Sequence, residues 1–232
     1  MSCRPLLGIL MLDTVFTRIE GDIGSPDTFS FPVLFKKVKG ASPSKIVEEQ
    51  DPAFLDPFIE AARELVASGV KAITTSCGFL AVFQKELAQN VDVPVFTSSL
   101  LQIPWAYSLI RPEKKIGVIT ANAAALTDNH FKATGSLNIP KVVAGMEEYE
   151  CFYNVFVKQT SSLDSMRLNN EMYEAARRLS TSSPEIGSII LECTNMPPFA
   201  KKVKEAAGVP VYDIVTLTNW VAQAVYSRSF EL

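Results

Sequence analysis

Histidine is nearly absent: His130 is the one example in 232 residues, and the four cysteines, Cys3, Cys77, Cys151 and Cys193, are scattered. A structural zinc site needs four ligands and a catalytic one usually three, so neither fits, and there is no C-x-x-C. A Ser-His-Asp triad would rest on His130 alone, with no G-x-S-x-G ahead of it. No cofactor motif is present, so the expectation is chemistry with neither metal nor cofactor. Charge is also weak. A net charge of −3 leaves no electrostatic footprint for nucleic acid. No uninterrupted apolar run is long enough to span a bilayer. The run LLGILML at residues 6–12 is short, reaches Asp13 and lacks a small-residue cleavage site, so it reads as a buried first strand, not a signal peptide. These absences point to a cytoplasmic protein without nucleic-acid or membrane partners. Homo-oligomerisation is left open.

What is present is ordinary globular composition, 47% hydrophobic and 20% charged. Short β-branched runs alternate with helix-like stretches. Strands are expected at 6–12, 70–75, 93–97, 115–120, 141–144, 186–191 and 209–212. Helices are expected at 51–68, 80–89, 100–109, 123–134, 171–179, 198–206 and 215–227. Strands separated by helices of this length imply right-handed crossovers and parallel sheets, an α/β fold. The irregular stretch 17–33 carries Gly21, Gly24, Pro26 and Pro32 with repeated aromatics. It reads as a loop packed near a site, or as a surface loop with one strand in it.

A repeat underlies the pattern. Cys77 and Cys193 lie 116 residues apart, each where an apolar strand ends and a helix-like stretch begins. At the same offset V-P-V around Pro94 matches V-P-V around Pro210, and Ile73, Phe83, Lys85 and Leu101 meet identical residues. LLGIL at 6–10 is echoed by KIGVI at 115–119, at an offset of 109. The expectation is two pseudo-symmetric, Rossmann-like lobes. The first covers residues 1–104, completed by a C-terminal helix within 213–232, and the second covers 105–212. Ligands of parallel sheets bind beyond the carboxyl ends of the strands, which puts both cysteines on the walls of one cleft between the lobes.

A facing pair of cysteines suits proton transfer at a carbon acid: one thiolate removes a hydrogen and the opposite thiol returns one. The thiol's ordinary pKa of about 8.5 falls at a helix N-terminus, which favours the thiolate. Backbone N–H groups at Gly78, Phe79, Thr194 and Asn195 can stabilise the developing charge. The side chains of Thr75, Ser76, Thr194 and Asn195 can orient the substrate. Cys3 and Cys151 have no such partner and read as structural. Singly, a buried cysteine is more often a small hydrophobe than a catalyst.

The two cysteine corners, the duplicated halves and the lack of a cofactor motif resemble the aspartate/glutamate racemase superfamily, which includes hydantoin racemases, arylmalonate decarboxylases and maleate isomerases. The segment DTVFTRIEGDIGSPDTF at residues 13–29 resembles a branch described only as racemase-like. The resemblance implies Cys77 and Cys193 as the acid/base pair. It also implies Asp13 and Thr14 as a segment that binds substrate or tunes a cysteine, and Thr194 as a ligand anchor. Cys77-Gly78-Phe79 departs from the Cys-Asn-Thr common among the amino-acid racemases, which removes two side-chain anchors for an α-amino acid.

The functional expectation is a cofactor-independent isomerase, a racemase or epimerase acting on a small carboxylate or amino-acid-like substrate. Two alternatives stand beside it: a hydantoin racemase or maleate-isomerase-type enzyme with Cys77 as nucleophile, and a non-catalytic metabolite-binding protein. Arg18 can supply a positive charge for a second carboxylate or be a solvated loop residue. Thr120 and Asn122 end a strand and can border the cleft. Strand alternation should turn Glu192 away from Cys193, so Glu192 reads as structural. His130 reads as a helix residue outside the chemistry, and Lys36, Lys37 and Lys39 as a solvated charge run.

Overall fold

The structure is a computed structural model that describes residues 6–226; Cys3 and Ser227, the expected end of the last helix, lie outside the described residues. Among the described residues, eight strands form two parallel sheets. The first holds β1 (Leu7–Met11), β2 (Val33–Lys37), β3 (Ala72–Thr75) and β4 (Val95–Phe96), in the order β2-β1-β3-β4. The second holds β5 (Lys115–Thr120), β6 (Lys141–Gly145), β7 (Ile186–Leu191) and β8 (Val211–Tyr212), in the equivalent order β6-β5-β7-β8. The helices are α1 (Leu55–Ala67), α2 (Gln84–Gln89), α3 (Ile103–Ser108), α4 (Asp128–Ala133), α5 (Glu150–Phe152), α6 (Ser165–Ser182), α7 (Ala200–Ala207) and α8 (Ile214–Val225). None of the described helices is long and apolar enough to cross a membrane.

The repeat holds down to register. Ile73 pairs with Val95 and Ile189 with Val211, so β3–β4 and β7–β8 match at the offset of 116. The N–H of Ile73 donates to the Pro94 carbonyl at 2.9 Å, and that of Ile189 to the Pro210 carbonyl at 2.9 Å. Gly8 pairs with Ile73, and Gly117 with Ile189. Both glycines allow a helix to approach closely. A Cβ on Gly8 would lie 2.9 Å from Cδ1 of Leu65 on α1, and one on Gly117 would lie 3.2 Å from Cδ2 of Leu179 on α6.

The central strands read as near-continuous apolar runs because both faces are covered. In β1, Leu7, Ile9 and Met11 join a cluster with Ile214 and Leu217 of α8, while Leu10 joins one with Phe58 and Leu65 of α1. That second cluster extends through Ile116, Val118 and Ile190, so one apolar core spans both sheets. A third, with Leu168, Met172 and Leu179 of α6, covers the outer face of the second sheet.

Two further features repeat at the offset of 109, a turn without sequence identity and the glutamine that follows it. Residues Ser44–Glu48 and Tyr153–Val157 each form a wide π-helical turn. Each is closed by a bond from five residues on, Glu49 N–H to Ser44 O at 3.0 Å and Lys158 N–H to Tyr153 O at 2.9 Å. Each is followed by a glutamine in the left-handed region, Gln50 at φ 49° and Gln159 at φ 55°. Gln50 Nε2 donates to the Ala125 carbonyl at 2.8 Å, and Gln159 Oε1 accepts from Val15 N–H at 2.8 Å. The halves clasp each other reciprocally.

The sequence reading differs in several elements. Val33–Lys37 is a strand that was not expected, though its lysines reach solvent as a solvated charge run should: Lys36 pairs with Glu64, and Lys37 Nζ lies 3.1 Å from Asp13 Oδ1. The expected helix 100–109 begins as a 3₁₀ turn over Ser99–Gln102, 123–134 is α-helical only over Asp128–Ala133, and 171–179 belongs to the longer Ser165–Ser182. The stretch 80–89 begins as a 3₁₀ helix over Gly78–Phe83, with only Gln84–Gln89 α-helical.

Candidate active site

A pocket opens between the carboxyl ends of the two sheets. Its walls carry Cys77, Gly78 and Phe79 from the first half, and Glu192, Cys193, Thr194 and Asn195 from the second. Thr14, Phe16 and Arg18 of the loop after β1 close one side, and the wide turns add Val47 and Phe156. Both cysteine corners follow the central strand next to β1 or β5, so the duplication delivers both to one space. Thr194 Oγ1 donates to the Ser76 carbonyl at 2.7 Å and stitches the corners together.

Burial decides the state of the sulfurs. It pushes the Cys77 thiol up to about 12, with the nearby Glu192 carboxylate adding to the effect and the N–H groups of Phe79 and Leu80 and the charge of Arg18 opposing it. Burial likewise holds Cys193 well above the ordinary thiol value, with Glu192, Cys77 and Asp22 adding and the Asn195 N–H opposing. Burial therefore disfavours the thiolate expected from a helix N-terminus. The element after Cys77 is a short 3₁₀ helix, and desolvation outweighs its N–H groups. Cys193 Sγ instead donates to Asn195 Oδ1 at 3.5 Å.

Arg18 is not a solvated loop residue. Its side chain is 12% exposed, its Nη1 lies 2.6 Å from Asp22 Oδ1, its Nη2 donates to Thr14 Oγ1 at 2.9 Å, and its guanidinium sits 4.6 Å from the centre of the Phe16 ring. Asp22 Oδ2 accepts from Asn195 Nδ2 at 2.7 Å. The stretch 17–33 thus packs against the site, and one buried carboxylate in it ties the arginine of the first half to the second cysteine corner. Phe16 meets Phe156 edge to face, with ring centres 5.1 Å apart.

Of the residues singled out in the sequence, Thr14, Arg18, Ser76, Gly78, Phe79, Thr194 and Asn195 line the pocket with Cys77 and Cys193. Asp13, Thr75 and Thr120 do not. Asp13 binds the Gly40 N–H and Lys37 at the end of β2, contacts that hold its carboxyl below the usual range. Thr75 Oγ1 is buried against the Thr97 carbonyl at 2.7 Å. Thr120 Oγ1 donates to Glu192 Oε2 at 2.7 Å, so it acts on a site residue from behind. Asn122 accepts from Ala125 N–H within its own turn. His130 caps α4 with Thr127 and packs its ring edge to face on Phe79, 5.2 Å between centres. Cys151 is buried away from the pocket, its N–H bound to Glu171.

Glu192 corrects the sequence reading most sharply. β7 ends at Leu191, so strand alternation no longer governs the next residues, and Glu192 faces the same pocket as Cys193. It also explains Cys77-Gly78-Phe79: a Cβ at residue 78 would collide with the Glu192 carboxylate and carbonyl. Phe16 and Phe156 were missed as well; they come from a loop and a wide turn that carry no periodic signal.

Comparison with known proteins places this geometry. No family model matches the chain. A dimethylsulfoniopropionate lyase of Durusdinium sp. clade D is 31% identical over 226 residues, covering 92% of this chain and 73% of that protein. The chain belongs to the dimethylsulfoniopropionate lyase family. Dimethylsulfoniopropionate lyase 7 of Emiliania huxleyi (strain CCMP1516) is also 31% identical, over 93% of this chain but 65% of its own length. Solved structures agree on the fold. The Gly74Cys mutant of arylmalonate decarboxylase superposes with a TM-score of 0.63 at 14% identity, over 95% of this chain and 93% of that one. Glutamate racemase from Bacillus anthracis superposes with a TM-score of 0.62 at 15% identity, over 96% and 82%. The chain therefore has the α/β fold of the aspartate/glutamate racemase superfamily, as the cysteine corners suggested. The racemase or epimerase function, its hydantoin and maleate isomerase alternatives and the binding-protein alternative are overturned by these relatives. Dimethylsulfoniopropionate lyases are enzymes, and their reaction is not racemisation.

Proposed function

We propose that the protein cleaves dimethylsulfoniopropionate by β-elimination, giving dimethyl sulfide and acrylate. What carries this reading is the kinship with the named lyases over nearly the whole chain. The pocket supports it chemically. The substrate is a small zwitterion, a carboxylate joined by two carbons to a dimethylsulfonium. Arg18 suits the carboxylate, and neutralising that charge makes the adjoining C–H more acidic. Phe16 already seats the Arg18 guanidinium, and the apolar rings of Phe79 and Phe156 on the pocket wall suit a cation whose methyl groups offer no strong hydrogen-bond donor.

Elimination of a sulfonium needs a base but no acid, because the leaving sulfur departs as a neutral thioether. The two cysteines differ in the way this requires. Cys77 faces two backbone N–H groups and the charge of Arg18, while Cys193 gives its S–H to Asn195. Cys77 is the base in this reading, and Cys193 remains a thiol on the opposite wall. The positive charge of the bound substrate favours the Cys77 thiolate that burial otherwise suppresses.

The test is incubation of purified protein with dimethylsulfoniopropionate, with gas chromatography of the headspace for dimethyl sulfide and liquid chromatography of the solution for acrylate. Dimethyl sulfide and acrylate should appear in equal amounts. Folded protein that releases no more dimethyl sulfide than buffer overturns the reading.

A further inference from the structure

Glu192 is fully buried, and its two carboxylate oxygens are not equivalent. Oε2 accepts from Thr120 Oγ1 at 2.7 Å, and the Ala121 N–H also faces the carboxylate. Oε1 has no hydrogen-bond partner among the described residues, and Glu192 lines the pocket. An unpartnered buried carboxylate oxygen costs stability on the order of 1–3 kcal/mol, so structure alone gives no reason to keep it.

The repeat strengthens this. Glu192 stands at the place that Ser76 holds in the first half, 116 residues earlier. Ser76 N–H donates to Leu10 O at 2.9 Å, and Glu192 N–H to Ile119 O at 2.8 Å. Ser76 Oγ accepts from the Leu12 N–H at 2.8 Å, the counterpart of the Ala121 N–H that faces Glu192. A hydroxyl thus suffices to satisfy the strand end. The carboxylate brings something more, an acceptor held over the pocket, and Gly78 leaves the room for it.

We propose that Glu192 is the proton acceptor of the site: its free Oε1 takes the proton of the Cys77 thiol and passes to water the proton that the elimination releases. The inference rests on the lyase reading. The steps balance. The Cys77 S–H bond breaks as an O–H bond forms on Glu192. The thiolate takes the α-hydrogen, the C–H electron pair becomes the new carbon–carbon double bond, and the carbon–sulfur pair departs on dimethyl sulfide. Cys77 is a thiol again, and the one proton the reaction frees stands on Glu192 until water removes it. The titratable and charged groups around Glu192 are Cys193 on its own segment, Cys77 on the facing corner, and Arg18 and Asp22 on the loop after β1. Burial raises the Glu192 carboxyl to about 7, which suits an acceptor working near neutrality.

The experiment is the pH dependence of kcat and kcat/KM for dimethyl sulfide release in wild type, Glu192→Gln and Glu192→Asp, with folding checked by circular dichroism. The wild type should show an acidic limb near neutrality. Glu192→Gln should lose that limb and about 100-fold in kcat with KM nearly unchanged, and Glu192→Asp should keep the limb. Glu192→Gln with both limb and kcat intact overturns the proposal. If Glu192→Gln does not fold, Thr120→Val replaces it: the carboxylate loses a donor, so the limb must move to higher pH, and an unmoved limb overturns the proposal. A wild type that releases no dimethyl sulfide overturns the lyase reading instead. The carboxyl is then followed by infrared spectroscopy. An acid carbonyl band that titrates near neutrality and is missing from Glu192→Gln supports the acceptor, and its absence from wild type overturns it.

Discussion

Gln50 and Gln159 occupy the same left-handed conformation 109 residues apart and reach in opposite directions between the halves, to the Ala125 carbonyl and the Val15 N–H. Only glycine adopts this backbone without strain. Gln159→Ala should therefore lower stability by about 1 kcal/mol, because the bond to Val15 is lost and the strain stays. Gln159→Gly should recover most of that loss. Urea unfolding midpoints of the two variants check the order.

The unequal surroundings of the cysteines predict unequal losses. Cys77→Ala should reduce kcat by about 1000-fold or more, since it removes the base itself. Cys193→Ala should reduce it by about 10- to 100-fold, through the shape of the wall and the orientation of Asn195. Steady-state kinetics on folded variants decide it. Equal losses would mean that both sulfurs move protons.

Gly78→Ala should be among the more damaging single-methyl changes in the chain. Its Cβ would meet the Glu192 carboxylate and, more seriously, the Glu192 backbone carbonyl, which gives way only if the chain after β7 moves. The expected cost is about 1–3 kcal/mol, with loss of activity. A double variant with Glu192→Ser, which copies the residue of the other half, should regain the part of the stability lost to the carboxylate contact, though not the part lost to the backbone carbonyl, and should not regain the activity. Thermal melts and headspace assays on the pair separate the two effects.

The buried carboxyl of Glu192 also makes stability depend on pH. Its folded value of about 7 lies above the ordinary glutamate value of 4.5, so the folded chain binds the extra proton between those limits. Stability is then full below about pH 4.5 for this group and is lost as pH rises through about 7, by about 3 kcal/mol. Glu192→Gln should remove this slope: the gap between variant and wild type should widen in the variant's favour from about pH 5 to about pH 8. Chemical denaturation at several pH values measures it.

Much of this was legible in the residues. Lys115–Thr120 and Ile186–Leu191 have the bounds expected of them, because strands covered on both faces read as unbroken apolar runs. β2 was not seen: it is an edge strand, and its VLFKK ends in lysines that pair with Glu64 and Asp13. The cysteine corners were visible through V-P-V and the matching offset. Glu192 was misread by carrying a strand rule one residue past the end of the strand. Phe156 was invisible because the wide turn that presents it repeats in shape and not in sequence. The reaction class was beyond reach for a related reason. Racemase and lyase both begin with a base beside a carbon acid, and what separates them is the leaving group on the substrate.

Asp22 holds Arg18 with one oxygen and Asn195 with the other, from within a loop that also supplies Phe16 and Thr14. The cation, its counter-ion and its aromatic seat therefore travel together along one short stretch of chain. A graft of residues 14–24 between homologues would move all three as one cassette. Swapping the arginine alone would strand a sealed anion and loosen the far wall along with the near one.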